Sequence, residues 1–270
     1  MAIVKSSNEH LTLNADGSGN DIKFQSNGVE KASLTDGGVF TATSFAGSGA
    51  NLTGISSVGG ATGVDFNDNV KARFGTGADL EIFHDGSHSR IKDVGTGYLV
   101  LSGTEIHFND SSNSNNRIKI DSTGAVTMPA QPAFQVASNT MQNNITVGGS
   151  PVTVVYGTEV FDQNSDFTSN TFTAPVTGKY QLSATTRLGT LDSASAYYMM
   201  RIVTSNREYK SIFDPDFGQD NGYWSVVITV LADMDAGDTA TVKFLQNNGD
   251  AQTDIEGSVQ YTYFSGYLAC

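Results

Sequence analysis

Trp224-Ser225-Val226-Val227-Ile228-Thr229-Val230-Leu231 decides how the rest of the chain is read. In an extended strand successive side chains point to opposite faces. Trp224, Val226, Ile228 and Val230 therefore share one face. Val227 and Leu231 make the other face half apolar too, as in a strand that meets a second sheet or another subunit. From Ala133 onward, strand-like runs recur about every 8 to 15 residues. They are Ala133-Phe134-Gln135-Val136-Ala137, Val152 to Tyr156, Phe172 to Pro175, Gly178 to Ala184, Tyr197 to Val203 and Thr239 to Leu245. Asp235-Ala236-Gly237-Asp238 is the turn before the last of these. No segment carries the 3.6-residue apolar period of a helix. The expected fold is all-β, with a jelly-roll sandwich over residues 132–270.

The texture differs before that domain. Residues 1–60 read as short strands broken by Gly, Asn, Asp and Ser. Leu11-Thr12-Leu13 precedes a Gly-rich turn, and Ile22-Lys23-Phe24 runs into Ser26-Asn27-Gly28, an Asn-Gly hairpin signal. Residues 61–131 hold a second set: Val70 to Phe74, Leu80 to Phe83, Arg90 to Lys92, Tyr98 to Leu101, Glu105 to Phe108 and Arg117 to Ile120. Ile22-Lys23-Phe24-Gln25-Ser26-Asn27-Gly28 and Ile118-Lys119-Ile120-Asp121-Ser122-Thr123-Gly124 share the pattern Ile-Lys-apolar-x-Ser-x-Gly. Units this short cannot bury a core alone, so they need stacked neighbours or other chains. The reading is a repetitive β stalk, interwoven or β-helix-like, with residues 1–60 as its docking segment. Met128-Pro129-Ala130-Gln131-Pro132 is the linker to the head.

The bulk numbers narrow the function. With 38% hydrophobic residues the chain can fold, but only 16% is charged, below the roughly 25% of an average domain. A net charge of −13 argues against nucleic acid and anionic membrane surfaces, which need a basic face. The single cysteine, Cys270, leaves no intrachain disulfide, so stability must come from packing or association. No run reaches the roughly 18 apolar residues of a membrane helix. The N-terminus lacks an apolar signal-peptide core, which suits a virion component released by lysis.

Two resemblances follow from particular residues. Pro132-Ala133-Phe134, Phe161-Asp162-Gln163-Asn164-Ser165-Asp166-Phe167, Phe172-Thr173-Ala174-Pro175-Val176-Thr177-Gly178-Lys179-Tyr180 and Phe264-Ser265-Gly266-Tyr267-Leu268 fit one family in order and spacing. Together they resemble the globular head of complement component one-q and the tumour-necrosis-factor superfamily. That resemblance implies a ten-strand jelly roll that trimerises through apolar sheet faces. Phe45-Ala46-Gly47-Ser48-Gly49-Ala50-Asn51-Leu52-Thr53-Gly54-Ile55 and Phe74-Gly75-Thr76-Gly77-Ala78-Asp79-Leu80-Glu81-Ile82-Phe83-His84-Asp85-Gly86-Ser87 are similar to recurrent phrases of phage tail-fibre and appendage proteins from marine and cyanobacterial viruses. They imply a homotrimeric virion fibre that docks to other virion proteins through its N-terminal region.

The candidate sites have competing readings. Asp214, Asp216 and Asp220 place carboxylates in a Gly/Asp/Asn-rich loop beside Tyr223 and Trp224. Alternating carboxylates suit calcium, the one cofactor this chain suggests, though the spacing is not an EF-hand. Heads of the resembling family bind calcium in some members. The same loop with Tyr223 is the expected contact for a host-surface glycan or protein, and the plainer reading is a solvated loop. His84, Asp85 and His88 offer metal-ligand chemistry, against a simple hairpin turn. Tyr197, Tyr198, Met199 and Met200 read as core or subunit interface. No catalytic constellation stands out, so the expectation is no enzyme. With 28 acidic residues, a glycosidase-like carboxylate pair is easily drawn and means little. The sequence therefore suggests host attachment, with a purely structural virion role as the rival.

Overall fold

The computed structural model describes residues 13–15, 17–42 and 66–270. Leu11-Thr12 and the phrase Phe45 to Ile55 lie outside the described residues. The chain divides into two compact units, 1–99 and 100–270. All regular structure among the described residues is β.

The first unit holds two three-stranded antiparallel meanders. One is β1 (Ile22–Ser26), β2 (Val29–Leu34) and β3 (Phe40–Ala42). The other is β4 (Ala72–Phe74), β5 (Leu80–His84) and β6 (Ser89–Asp93). The Asn-Gly signal forms the expected tight turn: Asn27 and Gly28 both take positive φ, 53° and 73°, the left-handed conformation such hairpins need. In the second meander Ala72, Ile82 and Ile91 align across the strands on one face. Arg73, Glu81 and Lys92 align on the other, where Lys71 Nζ donates to Glu81 Oε2 at 2.7 Å.

The second unit opens with a third meander, β7 (Ile106–Asn109), β8 (Asn116–Ile120) and β9 (Val126–Thr127). The two copies of Ile-Lys-apolar-x-Ser-x-Gly occupy different places. The first is an initial strand, the second a middle one, and both run into a turn carrying a positive-φ glycine, Gly28 or Gly124. What repeats is a hairpin, not a whole module. The Tyr98 to Leu101 run pairs with no described strand and is exposed, because four consecutive apolar residues gain nothing from a strand unless both faces are covered. The proline segment is pinned to the head: Gln163 Nε2 donates to the carbonyls of Met128, Pro129 and Gln131 at 3.0, 3.0 and 2.8 Å.

The head is a jelly roll. Its first sheet runs β12 (Thr158–Asp162), β10 (Ala133–Ala137), β21 (Tyr263–Leu268), β15 (Gly178–Leu191), β18 (Asn221–Met234), with β20 (Asp254–Ile255) beside β15. The second runs β13 (Phe167–Thr168), β14 (Thr171–Thr173), β19 (Thr239–Asn247), β16 (Tyr197–Thr204), β17 (Glu208–Phe213), with β11 (Val152–Thr153) beside β19. From β14 on, the chain crosses repeatedly between the sheets and every pairing is antiparallel. That is the wrapped order of a jelly roll.

Alternation explains what each sheet buries. Tyr180, Leu182, Ala184 and Leu188 of β15 point inward and are fully buried, with Val226, Ile228, Ala232 and Met234 of β18 beside them. Tyr198, Met200 and Ile202 come from the opposing sheet, so within the Tyr197 to Met200 run Tyr198 and Met200 belong to the core while Tyr197 and Met199 are half-buried on the other face. Phe134 stacks on Phe172 at 4.6 Å and meets Phe264 edge-on at 5.0 Å. Burying one such side chain contributes about 1.5–3 kcal/mol. The run from Val152 to Tyr156 forms a strand only over its first two residues. After Val154, side chains replace the ladder: Val155 N–H donates to Gln142 Oε1 and Tyr156 N–H to Asn170 Oδ1.

Candidate functional site

The first sheet has a second face that the described residues of the second unit leave exposed. Register places Leu231 beside Gln181, Gln181 beside Tyr267, and Tyr267 beside Ala133. Four residues along β18, Val227 lies beside Thr185, which faces Tyr263 on its other side. Val227 and Leu231 are 56% and 57% exposed, and Phe161 and Tyr267 are exposed as well. A groove of about 440 Å³ runs between Phe161, Gln135, Ser265, Tyr267, Gln181 and Ser183, with no charged side chain in its lining. An apolar, uncharged patch on an otherwise acidic protein is the usual mark of an interaction surface.

The far end of this sheet carries the residues that the sequence reading favoured. The chain joins the head at Pro132, whose carbonyl accepts from Leu268 N–H at 3.0 Å. Leu268 lies opposite Tyr180, near the start of β15, whereas Tyr223 lies opposite Gly189, near its end. Asp214, Asp216 and Asp220 fill the loop before β18. Asp214 Oδ1 accepts from Asp216 N–H at 3.2 Å. Asp220 Oδ1 accepts from the N–H and hydroxyl of Ser193 at 2.9 and 2.7 Å, and these hydrogen bonds hold its carboxyl below the usual carboxylate range. Phe217 packs on Trp224 at 4.8 Å and Trp224 on Phe213 at 5.7 Å, which ties the loop to the sheet edge. Two of the three carboxylates thus have internal duties in the loop. Among the described residues no three His, Cys, Asp or Glu side chains converge as a metal would require.

In the first unit, Asp85 closes its turn. Its Oδ1 accepts from Ser87 and His88 N–H, and its Oδ2 from Arg90 Nε. The Arg90 hydrogen bond, followed by the His88 amide, lowers its carboxyl to about 2. His84 Nδ1 lies 3.2 Å from Ser89 Oγ across the hairpin, while the His88 ring leans back on Asp85 at 3.5 Å. The arrangement is that of a hydrogen-bonded hairpin turn.

Sequence reasoning did not single out Arg187. Its guanidinium carbon lies 4.0 Å from the ring centre of Tyr223 and 4.1 Å from that of Tyr261. Alternation along β15 puts Arg187 on the outward face, but only register brings β18 and the turn before β21 to either side of it. No local signal links the three positions.

Comparison with known proteins finds no matching family model and no matching curated protein. Among solved structures, the globular domain of zebrafish complement 1qA is 18% identical, covering 52% of this chain and 98% of its own at a TM-score of 0.37. Murine APRIL at pH 8.5 is 13% identical, covering 51% and 98% at 0.37, and the pH 8.0 structure is 12% identical at 0.38. The jelly-roll assignment rests on the strand order and register above, not on these scores. No helix among the described residues is long and apolar enough to cross a membrane.

Proposed function

We propose that this chain is a phage virion fibre or appendage protein whose head forms a homotrimer and attaches to the host cell surface. The observation that carries the reading is the exposed face of the first sheet, where Phe161 and Tyr267 line an uncharged groove and Val227 and Leu231 stand exposed on the same face. Such a face suits further copies of the same chain, and the three meanders, each with an apolar side, suit the same association in a stalk over residues 1–131. The N-terminal region would dock to other virion proteins and place the chain on the phage tail or an appendage. The head, 132–270, would then present three copies of the loop with Asp214, Asp216, Asp220 and Tyr223 to a host-surface glycan or protein. Weak contacts made three at a time add up by avidity.

The rival role is a structural clamp or decoration without a receptor. The internal hydrogen bonding of Asp214 and Asp220 favours it, since those carboxylates already serve the loop. Light scattering tests the association first: the expected mass is three times the 28.6 kDa chain. Leu231→Asp should reduce it to a single chain. A monomeric wild-type protein would overturn the trimer and the avidity argument together. Adsorption of the trimer to host cells, weakened by Tyr223→Ala, supports attachment; an intact trimer that adsorbs to nothing supports the clamp.

A further inference from the structure

We propose that the row of cations Lys243, Arg201 and Lys210, on the outward face of the second sheet, is a docking site for a linear acidic polysaccharide. The proposal rests on the attachment reading and gives it a second contact surface and a ligand class. Register sets the row across three strands. Arg201 of β16 lies directly opposite Lys243 of β19 on one side and Lys210 of β17 on the other. Alternation turns these side chains outward, because Met200, Ile202, Val242 and Phe244, the chain neighbours of Arg201 and Lys243, are fully buried. Like charges directly opposite one another destabilise a sheet. The head, residues 132–270, holds only six Lys and Arg against 14 Asp and Glu, yet half of those cations stand in this one row. A local penalty of that kind marks a place kept for a ligand that offsets it.

One carboxylate serves the whole row. Glu208 Oε2 pairs with Lys210 Nζ at 3.0 Å and with Arg201 Nη1 at 3.3 Å. The Lys210 hydrogen bond, followed by the charges of Lys210, Arg201 and Lys243, holds the Glu208 carboxyl below the usual carboxylate range. Of the residues that register places in the rows on either side, Glu208 alone is acidic. Among the described residues Lys243 has no ion pair, so the row keeps a surplus of two positive charges. Thr153 of β11 lies beside Lys243, and Thr241 stands two positions along β19 on the same face. Among the described residues neither hydroxyl has a protein partner, and both can serve sugar hydroxyls. Strands lie about 4.8 Å apart, so the row reaches about 10 Å and meets successive acid groups of an extended chain. The acids elsewhere on the head repel a densely charged chain such as nucleic acid more than a sugar chain with one acid group per residue. This face lies on the opposite side of the sandwich from Val227 and Leu231, where other copies pack in the reading above.

The test uses the full chain and titration calorimetry with oligogalacturonate, dextran sulfate, neutral dextran, polyglutamate and oligodeoxythymidylate. The expected result is binding to oligogalacturonate or dextran sulfate, which tell carboxylate from sulfate recognition. Neutral dextran should be silent, and the peptide and nucleic-acid probes several-fold weaker. Lys243→Thr should weaken binding about tenfold, as expected for loss of a charge-assisted hydrogen bond. Because it also relieves repulsion in the row, its melting temperature should stay equal or rise. Glu208→Gln removes the competing carboxylate and should tighten binding several-fold. Binding of neither acidic polysaccharide, equal binding of polyglutamate or oligodeoxythymidylate, full affinity in Lys243→Thr, or weaker binding in Glu208→Gln would overturn the proposal. So would a fall in the light-scattering mass of Lys243→Thr, which would make the row a contact between copies. Cell adsorption separates the two readings. If wild type and Lys243→Thr adsorb equally, attachment stands and this site falls. If polysaccharide binding depends on Lys243 but no cell is adsorbed, the site stands and attachment falls.

Discussion

Phe134 in the head and Phe74 in the second meander both sit in short alternating strands, yet their fates differ. Phe134 is 1% exposed and stacked among Phe172, Phe167 and Phe264. Phe74 is 53% exposed, as are Ile82 and Ile91 on the same face to a similar degree. Alternation prepares an apolar face in both regions. Among the described residues only the head supplies a second sheet to close over it, because two sheets of five or more strands can enclose a core and a three-stranded meander by itself cannot.

The largest expected effect tests that contrast directly. Phe134→Ala should destabilise the head by about 3–5 kcal/mol, read from the denaturation midpoint. Phe74→Ala should cost under about 1 kcal/mol in isolated chains, since its ring is already half in water. If Phe74→Ala instead lowers stability in a concentration-dependent way, its face is covered by other copies and the contrast holds only for single chains.

Gly266→Ala sharpens the head's side of the comparison. An added Cβ would come within 2.6 Å of Leu182 Cδ2 and 2.8 Å of the Phe134 ring. Overpacking at that seam should cost about 1–3 kcal/mol, visible as a lower melting temperature. Thr186→Val should act the other way. Thr186 is fully buried on β15 and its hydroxyl has no hydrogen-bond partner, so an isosteric apolar group should stabilise by about 1 kcal/mol. Gln163→Ala removes three carbonyl contacts from the proline segment and should cost about 1 kcal/mol, with faster proteolysis near Met128 as the clearer readout.

The smallest effect concerns the meander turn. Asp85 has a folded-state pKa lowered to about 2 from 3.8, so its contribution is present above 3.8 and lost as the pH falls toward 2. Arg90→Gln should move the Asp85 carboxyl titration, followed by NMR, back toward 3.8. Because the turn is exposed, global stability should hardly change.

Much of the head was legible because its signals are local. The faces of β18 were assigned correctly from Trp224 to Leu231, and Gly237 takes the positive φ that the Asp235 to Asp238 turn called for. The length of β18 was not legible. It runs from Asn221 to Met234 because β15 pairs with it nearly throughout, and pairing extends a strand through residues of weak propensity. Val155 and Tyr156 read as strand but lose the ladder to Gln142 and Asn170, amides that no local pattern ties to them. At the far end of the head Tyr223 was legible as an exposed aromatic beside an acidic loop, whereas its companions Arg187 and Tyr261 were not.

By itself the sequence determined the class of structure: strands by two-residue alternation, turns by Asn, Asp and Gly, and an acidic surface poor in charge. These follow from the conformational preferences of each residue and its near neighbours. Only the tertiary structure decided which apolar faces are sealed, which is left bare along Val227 and Leu231, and that Arg187 lies between two tyrosines from distant segments. Those outcomes depend on strand register and sheet stacking, where the deciding contacts join residues far apart in the chain.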